Sequence, residues 1–394
     1  LQNQFYVFIF NHLNKVIYVN FTDAIEIDQL ENQENEESET TILEELARAG
    51  VIKSVFDQIL NWKDVKLVET IPNDSLFQDN QNQYKQPIPE SVLASNIYVF
   101  FQFMKYNIDE AINLNTDLTV FLLQINLNKL IYKGDDLQLA TLRYLSISLQ
   151  YTWESLLKNN YFSFILQKCV NEKYFNEAQY LVCLEILKKA SFFCSDYLIS
   201  EGLISTIHAV FSKFSMDDDY ESACVTAIDI CTEVAKKGSD NIILLISDPL
   251  SDDIQSFSDR GSYPIKVSIM RFALELIKYA NIFEISNFLA SMFCIQFMAD
   301  FLESNVDAIF IDLLNSLVHL IDLTKKDALS QDLSDHLFEV FQNSSILNTL
   351  NDFLTSQDFQ IEINPEESED FHQSLQIISQ QILNDWSEIN GQNE

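Results

Sequence analysis

Residues 153–202 read WESLLKNNYFSFILQKCVNEKYFNEAQYLVCLEILKKASFFCSDYLISEG, and residues 203–238 continue LISTIHAVFSKFSMDDDYESACVTAIDICTEVAKKG. One phrase occurs twice in this stretch. Trp153–Asn160 precedes Tyr161, Phe162, Ile165 and Leu166, and Asp196–Gly202 precedes Leu203, Ile204, Ile207, Val210 and Phe211. Apolar residues spaced three and four apart mark one face of a helix. Each leading phrase ends on Asn160 or Gly202, residue types that tolerate the left-handed turn closing a helix. A longer periodic run then follows. Residues 176–192 hold Ala178, Leu181, Val182, Leu184, Ile186 and Leu187, and residues 220–237 hold Ala223, Ala227, Ile228, Ile230, Cys231, Val234 and Ala235. The spacing predicts a unit of a short helix, a turn, a medium helix and a long helix. Asn160 and Gly202 stand 42 residues apart.

The pattern extends in both directions. Thr41-Ile-Leu-Glu44 has the form of a capping box, whose hydroxyl and carboxylate satisfy free N–H groups at a helix start. Leu43, Leu46 and Ala47 share a face before Gly50, and Val51, Ile52, Val55, Phe56, Ile59 and Leu60 follow at helical spacing. Near the other end, Phe338–Ser345 precedes Ile346, Leu347, Leu350, Phe353 and Leu354. Helix breakers are scarce, with six Gly and six Pro in 394 residues, against average shares of roughly 7% and 5%. No Pro lies between Glu90 and Asp248 or between Ile265 and Asn364. No glycine motif for a dinucleotide or a phosphate loop is present, so the strand-to-helix turns of an α/β enzyme have no candidates. The chain reads as all-α.

Three helices repeating at this period resemble the armadillo repeat, whose length is roughly 40–47 residues. Trp153–Gly238 carries two consecutive units, and weaker units fit 41–106, 263–324 and 330–386. The resemblance implies a right-handed α-solenoid of stacked armadillo-like repeats over 41–386. An N-terminal cap or acidic irregular segment occupies 1–40 and a C-terminal tail 387–394, with loops near 62–90, 247–264 and 356–368. Armadillo-like proteins bind extended peptides or other domains on the concave face made by each unit's third helix. By resemblance those helices begin here near Glu177 and Glu221. The nuclear-import adaptors of this class set Trp and Asn in ladders on them; Tyr180 takes a Trp-like place and Asp229 an Asn-like one. Glu177, Tyr180, Glu221 and Asp229 are therefore the candidate partner-binding residues. The full ladder is missing, since the three Trp are Trp62, Trp153 and Trp386.

Charge restricts the partners. The chain has 24 Lys and Arg against 59 Asp and Glu, a formal charge of −35. Such a surplus repels phosphate backbones, which argues against nucleic acid as a partner. The charge is uneven. Glu26–Glu45 holds nine acids and no base, and Asp327–Glu394 holds fourteen acids and no base, while Lys129–Lys189 carries eight bases. In a solenoid, distance along the sequence becomes distance along the axis, so an acidic C-terminal third is expected to steer a basic partner. At the other end, Phe5–Phe10 and Val16–Phe21 form a hairpin or an irregular cap helix. With a six-residue apolar run and no preceding base, this segment fits a secretory signal poorly. No stretch has the length and apolarity of a membrane span.

Catalytic chemistry finds few anchors. Cys169, Cys183, Cys194, Cys224, Cys231 and Cys294 include no CxxC pair and sit in apolar helical context, where a thiol acts as a small hydrophobe. Reduced thiols, and a cytoplasmic or nuclear location, are the expectation. His12, His208, His319, His336 and His372 include no pair at zinc spacing. Asp217-Asp218-Asp219 lies where Asp caps the next helix. Phe100, Phe101, Phe103, Phe192, Phe193, Phe293, Phe297 and Phe301 are expected to pack in the core, with a hydrophobic groove for a partner helix as the alternative. The sequence thus points to a protein-interaction scaffold or adaptor with no catalytic residues, cofactor or metal. The second reading is a regulatory subunit, or a chaperone or transport cofactor, gripping a folded partner domain.

Overall fold

A computed structural model describes residues 43–66, 90–127, 135–170, 177–213, 221–238, 250–279, 309–326, 346–355 and 368–393, with isolated positions between them. Among the described residues there are helices and short turns, and no strand. We label the helices α1 (Val51–Lys66), α2 (Glu90–Lys105), α3 (Asp109–Leu127), α4 (Asp135–Lys158), α5 (Tyr161–Val170), α6 (Glu177–Ser200), α7 (Leu203–Lys213), α8 (Glu221–Ala235), α9 (Leu250–Arg260), α10 (Tyr263–Tyr279), α11 (Phe310–Lys325), α12 (Ile346–Thr355) and α13 (Ser368–Asn393).

The turns that organise the repeats have the backbone their sequence foretells. Gly50, Asn160 and Gly202 have φ of 77°, 53° and 102°. Their amides donate to carbonyls three residues back, on Ala47 at 2.8 Å, Leu157 at 3.0 Å and Ile199 at 3.0 Å. Asn107 adds a turn of the same kind, with φ of 54°. Its amide donates to Met104 O at 3.1 Å and the next amide, on Ile108, donates to Phe103 O at 3.1 Å, the paired bonds that close a helix around a left-handed residue. Cys194, with φ of −145° and ψ of 47°, breaks α6 between a long helix and the short one that opens the next unit.

Two compact units are formed, one from residues 1–162 and 176–186, the other from 163–175 and 187–394. In the first, α2 packs against α4, and α1 against α3. Its core centres on Phe100, Phe103 and Tyr144, all fully buried. The Tyr144 hydroxyl meets Thr119 Oγ1 at 3.1 Å, Asn115 O at 3.0 Å and Asn115 Oδ1. Burial pushes this phenol far above its usual range, against the smaller opposing pull of its hydroxyl neighbours. In the second unit the long helices pack in succession, α8 on α10, α10 on α11 and α11 on α13, while the medium helices α7 and α9 meet each other. Long on long and medium on medium is the arrangement that the 42-residue spacing predicts.

Several boundaries differ from the sequence expectation. The segment 247–264, expected as a loop, contains α9. Leu250, Ile254 and Phe257 are buried and stand four and three residues apart, one helical face. Asp252 and Asp253 lie in the first turn and Arg260 in the last, where each complements the helix dipole. Trp153–Lys158 forms the last turns of α4 instead of a separate short helix. α1 continues to Lys66, into the loop expected from 62. The expected tail from 387 is helical to Asn393 as part of α13. Residues 109–158 supply a further medium and long helix pair, α3 and α4, that the sequence reading did not count as a unit. Residues 1–40, Asp217–Asp219, Phe293, Phe297 and Cys294 lie outside the described residues.

Gly261, between α9 and α10, is fixed by space. A Cβ there would lie 2.5 Å from Phe257 O and 2.9 Å from Ile265 Cγ2. Gly261→Ala is expected to cost about 1–3 kcal/mol through overpacking, whereas Asn160→Gly should be neutral or slightly stabilising, since Gly meets no barrier at positive φ. Urea midpoints of the two variants check this; equal loss in both would contradict it.

Candidate functional site

The sequence of α8, ESACVTAIDICTEVA, dictates how much of it can face outward. Ala223, Cys224, Ala227, Ile228, Ile230, Cys231, Thr232, Val234 and Ala235 are buried. The strip they leave carries Asp229 and Glu233, with Lys236 just beyond the helix, at spacings of four and three. The same strip on α10 carries Arg271, Glu275 and Lys278, each 42 residues later. On α11 it carries Asp312, Asn315 and His319. The faces of α10 and α11, with the end of α8, enclose a groove of about 480 Å³ lined by Thr232, Lys236, Arg271, Glu275, Lys278, Asp312, Asn315, Ser316 and His319.

The charges in and beside this groove are unequally satisfied. Lys188 Nζ on α6 contacts Asp229 Oδ2 at 2.6 Å, and Lys236 Nζ contacts Glu233 Oε1 at 2.8 Å. Partial burial pulls the Lys236 ammonium down, but the hydrogen bond and charge of Glu233, with the charge of Glu275, hold it above its usual range. Glu275 Oε2 is buried and, among the described residues, accepts no hydrogen bond, a state that costs about 1–3 kcal/mol or more for a charged group. Arg271 is exposed, and among the described residues it makes no hydrogen bond or ion pair. Lys278 Nζ lies 5.2 Å from the Tyr279 ring. At the far edge Phe192, expected in the core, is 57% exposed. Phe193 meets it edge-on at 5.1 Å and Lys237 Nζ sits 4.5 Å from its ring. Two adjacent helical residues point about 100° apart, and here the Phe192 side turns to solvent.

The four residues named from sequence are dispersed. Glu177 opens α6, and its side chain lies outside the described residues. Tyr180 is 5% exposed, packed in the interior and not presented to a partner. Glu221 opens α8 half-buried, and its charge, after burial, raises the Cys224 thiol to about 11. Asp229 alone stands on the outward strip beside the groove. Arg271, Glu275, Lys278, Asn315 and His319 were not singled out. The signal that could have found them is the 42-residue offset from Asp229, Glu233 and Lys236.

Elsewhere, His208 Nδ1 and Asp253 Oδ2 pair at 2.5 Å between α7 and α9. At the C-terminal end, Lys325 contacts Asp385 at 2.5 Å and Glu388 at 2.9 Å. The hydrogen bonds of Asp385 and then Glu388 hold its ammonium above the usual range. Among the described residues no group of three or more His, Cys, Asp and Glu is placed to hold a metal ion, and no helix is long and apolar enough to cross a membrane.

The fold has counterparts among solved structures. A designed armadillo repeat protein matches with a TM-score of 0.51 and 14% identity, over 67% of this chain and 99% of its own. An engineered protein matches with a TM-score of 0.55 and 10% identity, over 88% of this chain and 70% of its own. No family model matches the chain, and no curated protein does. The chain is an all-α solenoid of armadillo-like helical repeats, as the 42-residue period implies.

The thiols give a direct check on the stacked helices. Burial raises Cys194 to about 11 and Cys231 further still, which leaves the unreactive thiol form at neutral pH. Iodoacetamide at pH 7.5 is expected to modify Cys183, Cys194, Cys224 and Cys231 only after denaturant is added. Labelling of Cys231 in the native protein, read by mass spectrometry, would contradict this.

Proposed function

We propose that this chain is a non-enzymatic protein-interaction scaffold that engages its partner along the outward strips of the long helices. The observation that carries the reading is the groove over α8, α10 and α11. Polar and charged side chains recur there at the repeat period, on helices otherwise buried all round. An armadillo-like repeat fold is typical of protein-binding scaffolds, and fold alone does not assign a function. The assignment therefore rests on the groove's residues. Glu221 and Asp229 on α8, and Glu177 and Tyr180 at the start of α6, are the sequence candidates for partner contact; of these, Asp229 stands on the outward strip beside the groove and Tyr180 is buried.

A second contact belongs to the same proposal. The C-terminal third, acidic and without a base after Lys326, would take a basic partner surface, drawn in by long-range attraction that salt screens. The alternative is a regulatory subunit, or a chaperone or transport cofactor, that grips a folded domain. Its support is the length of the repeat array, which offers more surface than a peptide covers. A cytoplasmic or nuclear setting fits the thiol-rich helices.

Crosslinking of the purified partner complex separates these readings. The scaffold reading expects crosslinks on α6, α8 and α10 within 177–190, 221–236 and 266–278, and binding at the acidic third that weakens as salt rises. Crosslinks confined to the turns between helices would overturn the groove as a binding face. A broad footprint covering both long and medium helices would favour the gripping cofactor.

A further inference from the structure

The groove does not share the sign of the whole chain. Acids outnumber bases by 59 to 24, so a base without an acidic partner is the exception to be explained. Arg271, one of only four Arg, and Lys278 stand seven residues apart, two turns along one face of α10. Neither has a carboxylate within ion-pairing distance among the described residues. Glu275 lies between them in sequence, yet its Oε2 is buried without a hydrogen bond and its charge acts on Lys236. Opposite, on α11, Asn315 and Ser316 bring donors and acceptors to the same space, and the exposed Asp312 brings a carboxylate. Two cations and the exposed carboxylate of Asp312, none ion-paired among the described residues, and one orphaned acceptor therefore share a groove of about 480 Å³, within the roughly 300–1,000 Å³ typical of ligand sites.

A ligand that completes this set carries negative charge for Arg271 and Lys278 and N–H donors for Glu275 and Asp312. A simple anion lacks the donors, and a basic segment would meet three lining bases, Lys236, Arg271 and Lys278, against two lining acids, Glu275 and Asp312. An extended peptide with acidic side chains has both, because its main chain offers N–H groups and carbonyls at every residue. We infer that the groove between α8, α10 and α11 takes a short acidic peptide segment, its carboxylates on Arg271 and Lys278 and a main-chain N–H on Glu275 Oε2. This rests on the scaffold reading and adds the partner's chemistry. It also makes the groove and the acidic C-terminal third two sites of opposite preference.

The probes are fluorescein-labelled peptides of alternating Glu and Thr, and of alternating Lys and Thr, titrated against the full chain. Salt is set at about 0.15 M, where charges beyond ~8 Å are largely screened and the overall repulsion is blunted. Arg271→Glu/Lys278→Glu is expected to weaken the Glu-Thr peptide at least tenfold. Arg271→Gln/Lys278→Gln should weaken it less, and Lys53→Glu/Lys158→Glu, with the same change in net charge elsewhere, should leave it unchanged. Far-UV circular dichroism checks that each variant folds; the altered groove residues are exposed. Equal weakening in the Lys53/Lys158 control would overturn the site. Binding of the Lys-Thr peptide alone, indifferent to the groove variants, would overturn the acidic preference while leaving the scaffold reading intact. If neither peptide binds, this inference fails, and the scaffold reading stands or falls on the crosslinks.

Discussion

Close approach of successive long helices is the constraint on which the second unit depends. α8 packs against α10, and the residues it buries include the small Ala223, Ala227, Ala235, Cys224 and Cys231, which allow close approach of neighbouring helices. Ile228, Ile230 and Val234 fill the space beside them, each worth roughly 1.5–3 kcal/mol when fully buried. Burial on so many sides leaves only one narrow strip for polar side chains. The side chains on that strip are lined up with those on the next helix by the packing itself. The 42-residue offset of Asp229 to Arg271 and of Lys236 to Lys278 thus follows the repeat, and Lys236, Arg271 and Lys278 line one groove.

The same packing changes the meaning of the net charge. A formal charge of −35 describes the solvent-facing chain as a whole, but Coulomb interactions in a groove are set by the few charges within a Debye length. There Lys236, Arg271 and Lys278 face Glu275 and Asp312 in the lining, with Glu233 beside Lys236, so acids and bases are nearly balanced. Much of the acidic excess lies in Glu26–Glu45 and after Lys326; near the C-terminal end, Lys325 holds Asp385 and Glu388. One chain therefore presents two electrostatic environments, and the average over both describes neither.

Much of the fold was legible because it is written in local chemistry. Asn160 and Gly202 announced their left-handed turns, and the apolar spacing of 176–192 and 220–237 announced buried long helices. The misses have equally local causes. In 247–264 the Asp and Ser content outweighed three apolar residues at helical spacing, although three suffice to anchor an eleven-residue helix. Asn107 was passed over because only its neighbours' hydrogen bonds reveal it as a turn of the same class. Phe192 and Phe193 were expected in the core together, but Phe192 lies on the outer side of α6 and is 57% exposed. The groove was the least legible feature, since the orphaned oxygen of Glu275 and the unpaired state of Arg271 are properties of three helices together. Tyr180, chosen by analogy with a ladder, proved to be a packing residue.

The turn residues also bear on how such a sequence can change over time. A Cβ at Gly50, Gly202 or Gly238 would meet nothing within 4 Å. Space therefore places no demand on these positions; only the sign of φ does. Gly and Asn exchange freely under that rule, as Asn107 and Asn160 illustrate. Between the turns, the long helices ask only for apolar residues at the right spacing, with small ones at the crossings. A fold specified by so few requirements can replace nearly every letter and keep its shape. Its outward strips are then free to be rewritten one helix at a time.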